Sequence, residues 1–303
     1  MKTVLIFGGS GFVGKHIIRR IAQNGYKIIV PHQKQVNEAN LRLLGKTGQI
    51  IPFKFKSLKD TKIQNIINQS DIIINLKTLW DEKIISYKKG ILDFNITLIE
   101  KIKNNKRKIN FIYFSGLGVD QNIDSNRSKA IFESEKYIQT NLKNSVIVRP
   151  GIVIGGGDQF LRGLLPLINM SFFIPLFGKG LSKFQPVFVD DVSIAINKIV
   201  KLSLNGNYLY EFVGLDIFSY KDFYTFLAKC MTKTRVLVPV PFKLIKIGVA
   251  IAEKTPFSPL NSEQLRLFEG DNIASNKYSL FRDLDIDPQD LKEIVKKIIR
   301  KNY

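Results

Sequence analysis

The sequence predicts an α/β chain: a doubly wound parallel sheet with helices on both faces, then a smaller, irregular C-terminal lobe. Three observations carry this. Short β-rich runs alternate with longer amphipathic segments through the first half, which implies right-handed crossovers and parallel strands. The run Ile72-Ile73-Ile74 is apolar on both faces, as a central parallel strand must be. After Pro150 the rhythm loosens, with Gly155, Gly156, Gly157, Pro166, Pro175 and Pro186 as punctuation. The expected division is therefore a core over 1–150 and a lobe over 151–303 interleaved with the last core elements.

The candidate strands, in order, are Thr3–Phe7, Lys27–Val30, Ile50–Phe55, Asp71–Leu76, Asn110–Ser115 and Ser145–Arg149. Between them the apolar spacing reads as helix over Lys15–Gln23, Lys62–Asn68, Thr97–Asn104 and Ser128–Gln139. Beyond Pro150, Phe184–Val189 and Tyr208–Val213 remain open as further strands of the main sheet. No internal repeat or low-complexity linker interrupts the chain.

Composition sets outer bounds. The hydrophobic fraction of 45% in 303 residues is that of an ordered globular chain. A single cysteine, Cys230, excludes an intramolecular disulfide and reads as a small core residue. Lys and Arg number 46 against 26 acids, a net charge of +20 that attracts anions. The lysines are spread along the whole chain without a basic, aromatic-laced tract, so nucleic acid is not an expected partner. The apolar run before Gly8 is too short for a signal peptide, no later run is long enough to span a bilayer, and no Arg-rich, Ser-rich leader precedes it. The only histidines are His16 and His32, and no Cys/His/carboxylate spacing points to a metal site.

The strongest local signal follows the first strand. Gly8-Gly9-Ser10-Gly11-Phe12-Val13-Gly14 carries glycines at G-x-x-G-x-x-G spacing and opens a helix with apolar Ile17, Ile18 and Ile21. Gly8 allows the tight turn, Gly11 lets the backbone approach a pyrophosphate, and Gly14 lets helix and strand pack closely. Free N–H groups at the helix start would hold the anion. This is a Rossmann-type dinucleotide turn in its proper context. After the second strand comes Val30-Pro31-His32-Gln33-Lys34, with no acid to hold ribose hydroxyls and with Lys34 in reach of a 2′-phosphate. That tilts the cofactor toward NADPH, with NAD(H) as the alternative; His32 reads equally well as an exposed turn residue.

With these residues the chain resembles the extended and atypical short-chain dehydrogenase/reductases. It is similar, more narrowly, to the dehydrogenase-like accessory subunits of respiratory complex I (the alpha-subcomplex subunit nine family) and their bacterial relatives. The matching stretches are Gly48-Gln49-Ile50, Asp71 to Leu76, Phe111 to Ser115, Arg149 to Gly155, Gln185 to Val192 and Val238 to Phe242. Pro256-Phe257-Ser258-Pro259 and Asp271-Asn272 extend the likeness. The resemblance implies tightly held NADPH and a place at the junction of complex I's peripheral and membrane arms. It also implies a location on the cytoplasmic face of a bacterial inner membrane, or on the matrix side in an organelle. Beside the glycine turn it places Leu76, Ser115, Lys129 and Pro150 at the cofactor.

The wider superfamily uses a Ser or Thr and a Tyr-x-x-x-Lys on one helix. The lysine lowers the phenol pKa and binds ribose, so the tyrosine can exchange a proton with substrate. Here the stretch is Ser125-Asn126-Arg127-Ser128-Lys129, with the lysine kept and the tyrosine replaced by a far weaker acid. Tyr113 and Tyr137 sit at the wrong places to substitute. Ser115 and Lys129 thus stand as a catalytic remnant. Asp190-Asp191 reads as helix capping, and Asn95 with Thr97 as minor structural residues. The expected function is a non-catalytic NAD(P)H-binding accessory or assembly protein of the respiratory NADH dehydrogenase. The alternatives are an active reductase, epimerase or dehydratase on a sugar-nucleotide or quinone-like substrate, and a redox-sensing regulator.

Two apolar stretches add a peripheral contact with an anionic membrane to the expected partners. One is a helix after Pro241 edged by Lys243 and Lys246; the other is Phe172–Phe177, read as a loop.

Overall fold

The computed structural model describes residues 1–33, 35–121, 124–202, 205–253 and 261–302. Lys34 and the block 256–259 therefore lie outside the described residues. In chain order the elements are β1 (Thr3–Phe7), α1 (Phe12–Ala22), β2 (Lys27–His32), α2 (Glu38–Arg42), β3 (Ile50–Lys54), α3 (Thr61–Gln69) and β4 (Ile72–Asn75). A π-helical turn, Lys88–Asp93, runs into α4 (Phe94–Lys103), followed by β5 (Asn110–Phe114), α5 (Asn126–Asn141) and β6 (Ser145–Pro150). Next come β7 (Val153–Ile154), α6 (Gln159–Met170), β8 (Phe173–Phe177), β9 (Lys183–Phe184), β10 (Val187–Phe188), α7 (Val189–Lys201) and β11 (Asn207–Phe212). The chain ends with β12 (Phe218–Ser219), α8 (Tyr220–Cys230), β13 (Val236–Val240), α9 (Phe242–Ala252), α10 (Ser262–Arg266), a 3₁₀ turn Phe281–Leu284 and α11 (Leu291–Asn302).

Two compact units result. The first comprises 1–150, 189–212 and 276–286; the second comprises 151–188, 213–275 and 287–303.

The first unit is built on a seven-stranded sheet of order β11-β6-β5-β4-β1-β2-β3, with every pair parallel. This is the doubly wound Rossmann order, in which the winding reverses between β1 and β4. Strand alternation sorts the side chains. Leu5, Phe7, Ile73, Phe111 and Tyr113 join Ile63, Ile67, Leu98, Ile99, Ile131 and Ile138 in one core layer. On the other face Ile6 and Val30 approach Ile18 of α1 around Gly9. His16 of α1 meets Asp190 of α7 at 2.8 Å, in the acidic first turn of that helix. Phe212 stacks on Phe281 at 4.5 Å, closing the β11 edge.

The Tyr208–Val213 run becomes β11, the edge strand beside β6. The Phe184–Val189 run does not join the main sheet. It breaks into β9, paired with β12, and β10, paired with β7. Pro186 sits at the break and has no N–H to continue a ladder. The second unit packs Phe160, Phe184, Phe218, Tyr220 and Phe223 with Ile174, Leu176 and Val295 in its own core. Phe172–Phe177 is not a loop: β8 pairs in parallel with β13, Phe173 opposite Val236 and Phe177 opposite Val240.

Candidate cofactor site

The glycine turn is built by three different demands. Gly8 has φ +74°, and a Cβ there would lie 2.8–3.0 Å from the backbone of Leu76 and Lys77. A Cβ on Gly14 would lie 2.6 Å from the Gly9 backbone. A Cβ on Gly9 would press Ile18 and Val30 at 3.0 Å. Those three are glycines because the protein itself fills the space. Gly11 is different: it has φ −73°, and a Cβ would meet only the Gly8 carbonyl at 3.3 Å. The space over Gly11 is left open by the fold, which is the cradle a pyrophosphate needs.

Gly11 is also the N-cap of α1. No side chain caps the helix, and its first turn carries no acid. The first N–H groups of Phe12, Val13 and Gly14 have no acceptor within the helix, and its dipole favours an anion there. Ser10 completes the turn at the mouth of a cavity of about 220 Å³ lined by Ser10, Lys15, Val36, Asn37, Asn40 and Leu41.

Leu76, Ser115 and Pro150 occupy the carboxyl ends of β4, β5 and β6, the edge on which open α/β sheets bind ligands. Leu76 donates to the Phe7 carbonyl at 2.9 Å, which fixes its backbone against Gly8. The Ser115 N–H is satisfied by the Val148 carbonyl at 2.8 Å. Its hydroxyl is not: Ser115 Oγ is, among the described residues, the one buried side-chain polar atom without a hydrogen-bond partner. A buried hydroxyl in that state invites a polar ligand group. Pro150 offers its carbonyl to Leu117 N–H at 3.1 Å.

Lys129 stands exposed in the first turns of α5. Ser125 is not on the helix at all. It is the buried N-cap, its Oγ accepting from Ser128 N–H at 3.0 Å while its carbonyl accepts from Lys129 N–H at 2.8 Å. Tyr113 is fully buried, and burial raises its pKa, so it serves no acid role at a surface site. Tyr137 donates to Glu100 on α4.

Several groups near the site were not legible in the sequence. Arg127 lies over the Trp80 ring at 3.8 Å and donates to the Leu79 carbonyl at 2.7 Å, pinning the segment after β4 to α5. Lys77 follows Leu76, donates to the Gly90 carbonyl at 3.1 Å and sits 4.1 Å from the Phe94 ring. Burial lowers its pKa to about 8. His32, for which an exposed turn was one of the two readings open, is the buried last residue of β2, 3.1 Å from Glu38 Oε1. Glu38 also binds Arg42 at 2.8 Å, so this carboxylate is already engaged.

Residues 4–208 match the model of the NAD dependent epimerase/dehydratase family. The chain belongs to that family. It is 28% identical over 305 residues to the mitochondrial NADH dehydrogenase (ubiquinone) 1 alpha subcomplex subunit 9 of Arabidopsis thaliana, covering 95% of this chain and 74% of that protein. It is 24% identical to the mitochondrial NADH-ubiquinone oxidoreductase 40 kDa subunit of Neurospora crassa, covering 95% of this chain and 76% of that one. Among solved structures, UDP-glucuronic acid 4-epimerase from Bacillus cereus, in complex with UDP-glucuronic acid and NAD, superposes with a TM-score of 0.74 at 15% identity. That likeness covers 99% of this chain and 100% of the epimerase, and it shows the fold alone.

Proposed function

We propose that the chain holds NADPH as a resident cofactor without turning it over, as an accessory subunit of the respiratory NADH dehydrogenase. One observation carries the reading: the glycine turn leaves Gly11 open to an anion, while Ser125, at the position of the expected acid, is a helix cap. A bound nicotinamide supplies a hydride donor or acceptor, but carbonyl chemistry also needs a proton, and an alkanol held as a cap does not give one at neutral pH. The N-terminus of α1 takes the pyrophosphate, the Ser115 hydroxyl gains a partner, and Lys129 reaches a ribose. Bound cofactor then stabilises the native state by mass action.

The choice of NADPH is supported by Ser10, Lys15, Asn37 and Asn40 around one polar cavity beside the glycine turn. Lys15 supplies the cation for a 2′-phosphate there, and Glu38, which would repel it, is spent on His32 and Arg42. The partner reading is supported by similarity to complex I subunits along nearly the whole chain. Native gel electrophoresis of membranes from the source cell tests it. Co-migration with NADH dehydrogenase subunits is expected, and migration only as a free chain contradicts it.

A second reading, an active reductase, epimerase or dehydratase on a sugar-nucleotide or quinone-like substrate, draws on the unpartnered Ser115 hydroxyl. Turnover on a panel of such carbonyl compounds that Lys129→Ala abolishes is the result that favours it.

A further inference from the structure

We propose that the second unit seats on an anionic lipid surface through the outer face of β8 and β13 and the adjoining helix α9. This does not rest on the cofactor reading.

The parallel register of β8 and β13 sets Phe173 beside Val236, Pro175 beside Val238 and Phe177 beside Val240. Alternation turns Ile174 and Leu176 inward, where both are buried in the core of this unit. The opposite face carries no polar side chain. Phe173 is 61% exposed, and Val236 and Val238 are exposed beside it. Met170 and Phe172, just before β8, are exposed as well.

The apolar surface continues into α9. The Gly178 N–H donates to the Val240 carbonyl at 2.8 Å, and Phe242, the first residue of α9, packs directly on Gly178. Of the eleven residues of α9 only Val249 is buried. Leu244, Ile247 and Ile251 are 61%, 60% and 63% exposed, at helical spacing along one side. Water-facing leucine and isoleucine in a row, in a helix this apolar, need a cover.

Charge decides which cover. The segments 170–177 and 236–252 contain no acidic residue; their charges are Lys243, which is exposed, and Lys246, which pairs with Glu269 at 2.5 Å, so Lys243 is the cation that faces an anionic surface. An apolar stripe edged by lysine, in a chain of net charge +20, matches the pattern of a helix lying in the interface of an anionic bilayer. Among the described residues no helix is long and apolar enough to cross a membrane, so the contact lies along the surface.

Flotation of the full chain with phosphatidylcholine vesicles, and with vesicles also containing phosphatidylglycerol, tests this. The wild type is expected to float with the anionic vesicles only. The double variant Leu244→Glu/Ile247→Glu should bind about a hundredfold more weakly, about tenfold for each apolar group kept out of the bilayer. Lys243→Glu should weaken binding less, and Leu43→Glu, at an exposed leucine of the first unit, should leave it unchanged. Both substituted side chains of the double variant are exposed, so its far-UV circular dichroism and Tm should match the wild type. Equal flotation with both vesicles, flotation with neither, or undiminished binding of the double variant overturns the proposal. So does a concentration-dependent dimer that the double variant dissolves, because the face would then be an interface between copies.

Discussion

The hydroxyl of Ser125 accepts a hydrogen bond from the backbone N–H of Ser128 at 3.0 Å, closing the first turn of α5. The side chain at the register of a catalytic tyrosine is thus committed to its own backbone. Ser125→Ala should cost about 1 kcal/mol of stability, the usual worth of an N-cap, and leave cofactor affinity unchanged. Ser125→Thr should restore most of the loss. Urea unfolding and a dinucleotide titration read both quantities; lost affinity at unaltered stability would make Ser125 a ligand instead.

The glycines of the turn separate fold from function. Gly14→Ala drives a methyl to within 2.6 Å of the Gly9 backbone and should destabilise the protein by about 2–3 kcal/mol. Gly11→Ala meets only one carbonyl oxygen, so its stability should stay within about 0.5 kcal/mol of wild type. Its methyl fills the anion cradle, and dinucleotide affinity should fall by about tenfold or more. Equal stability loss in both variants contradicts this division.

Arg149 on β6 is buried between Glu135 of α5, which it binds at 2.9 and 2.6 Å, and Asp120, at 2.8 Å. Burial opposes its charge, but the two carboxylates outweigh that and raise its pKa. Arg149→Met leaves Glu135 charged in the core and should cost about 3–5 kcal/mol in chemical denaturation. Arg149→Met/Glu135→Leu should recover much of the loss, because the orphaned charge is then gone.

Lys77 gives the stability a readable dependence on alkali. Burial lowers its pKa from 10.5 to about 8, so the folded state binds its proton less tightly than the unfolded state. Below pH 8 both states are protonated and the burial cost is fully present. Between about pH 8 and 10.5 the unfolded state holds more protons, so this residue makes stability rise with pH. Lys77→Met should be more stable than wild type at pH 7, and the difference should shrink across that window.

Much of the first unit was legible because period-2 runs and glycine chemistry are local. The pattern predicts β1 to the residue, and β2 to β6 within two residues at each end. The helix α1 starts at Phe12, three residues before the Lys15 that the apolar spacing predicts, because the glycines and Ser10 hide its first turn. Reading failed where tertiary pairing decides. Pro175 masked the alternation of β8, which only its pairing with β13 reveals. Pro186 split a run that otherwise looks like one strand. The cavity joining Lys15 to Asn37 and Asn40 rests on residues about two dozen positions apart, brought together by the β1–β2 crossover. His32 is buried because β2 runs on to it, opposite Lys54 of β3, and Glu38, six residues on, takes up its ring at 3.1 Å; no periodicity announces either contact.

A resident NADPH is, on this proposal, kept and not spent. The direct test is to purify the full chain without added nucleotide, extract it under conditions that preserve both redox forms, and quantify the nicotinamide nucleotides by chromatography. Parallel samples are first incubated with carbonyl, sugar-nucleotide and quinone compounds. Stoichiometric NADPH, unchanged by any of these compounds, is the expected result. A chain that carries no NADP(H), or one whose bound NADPH is oxidised in turnover that Lys129→Ala abolishes, would contradict it.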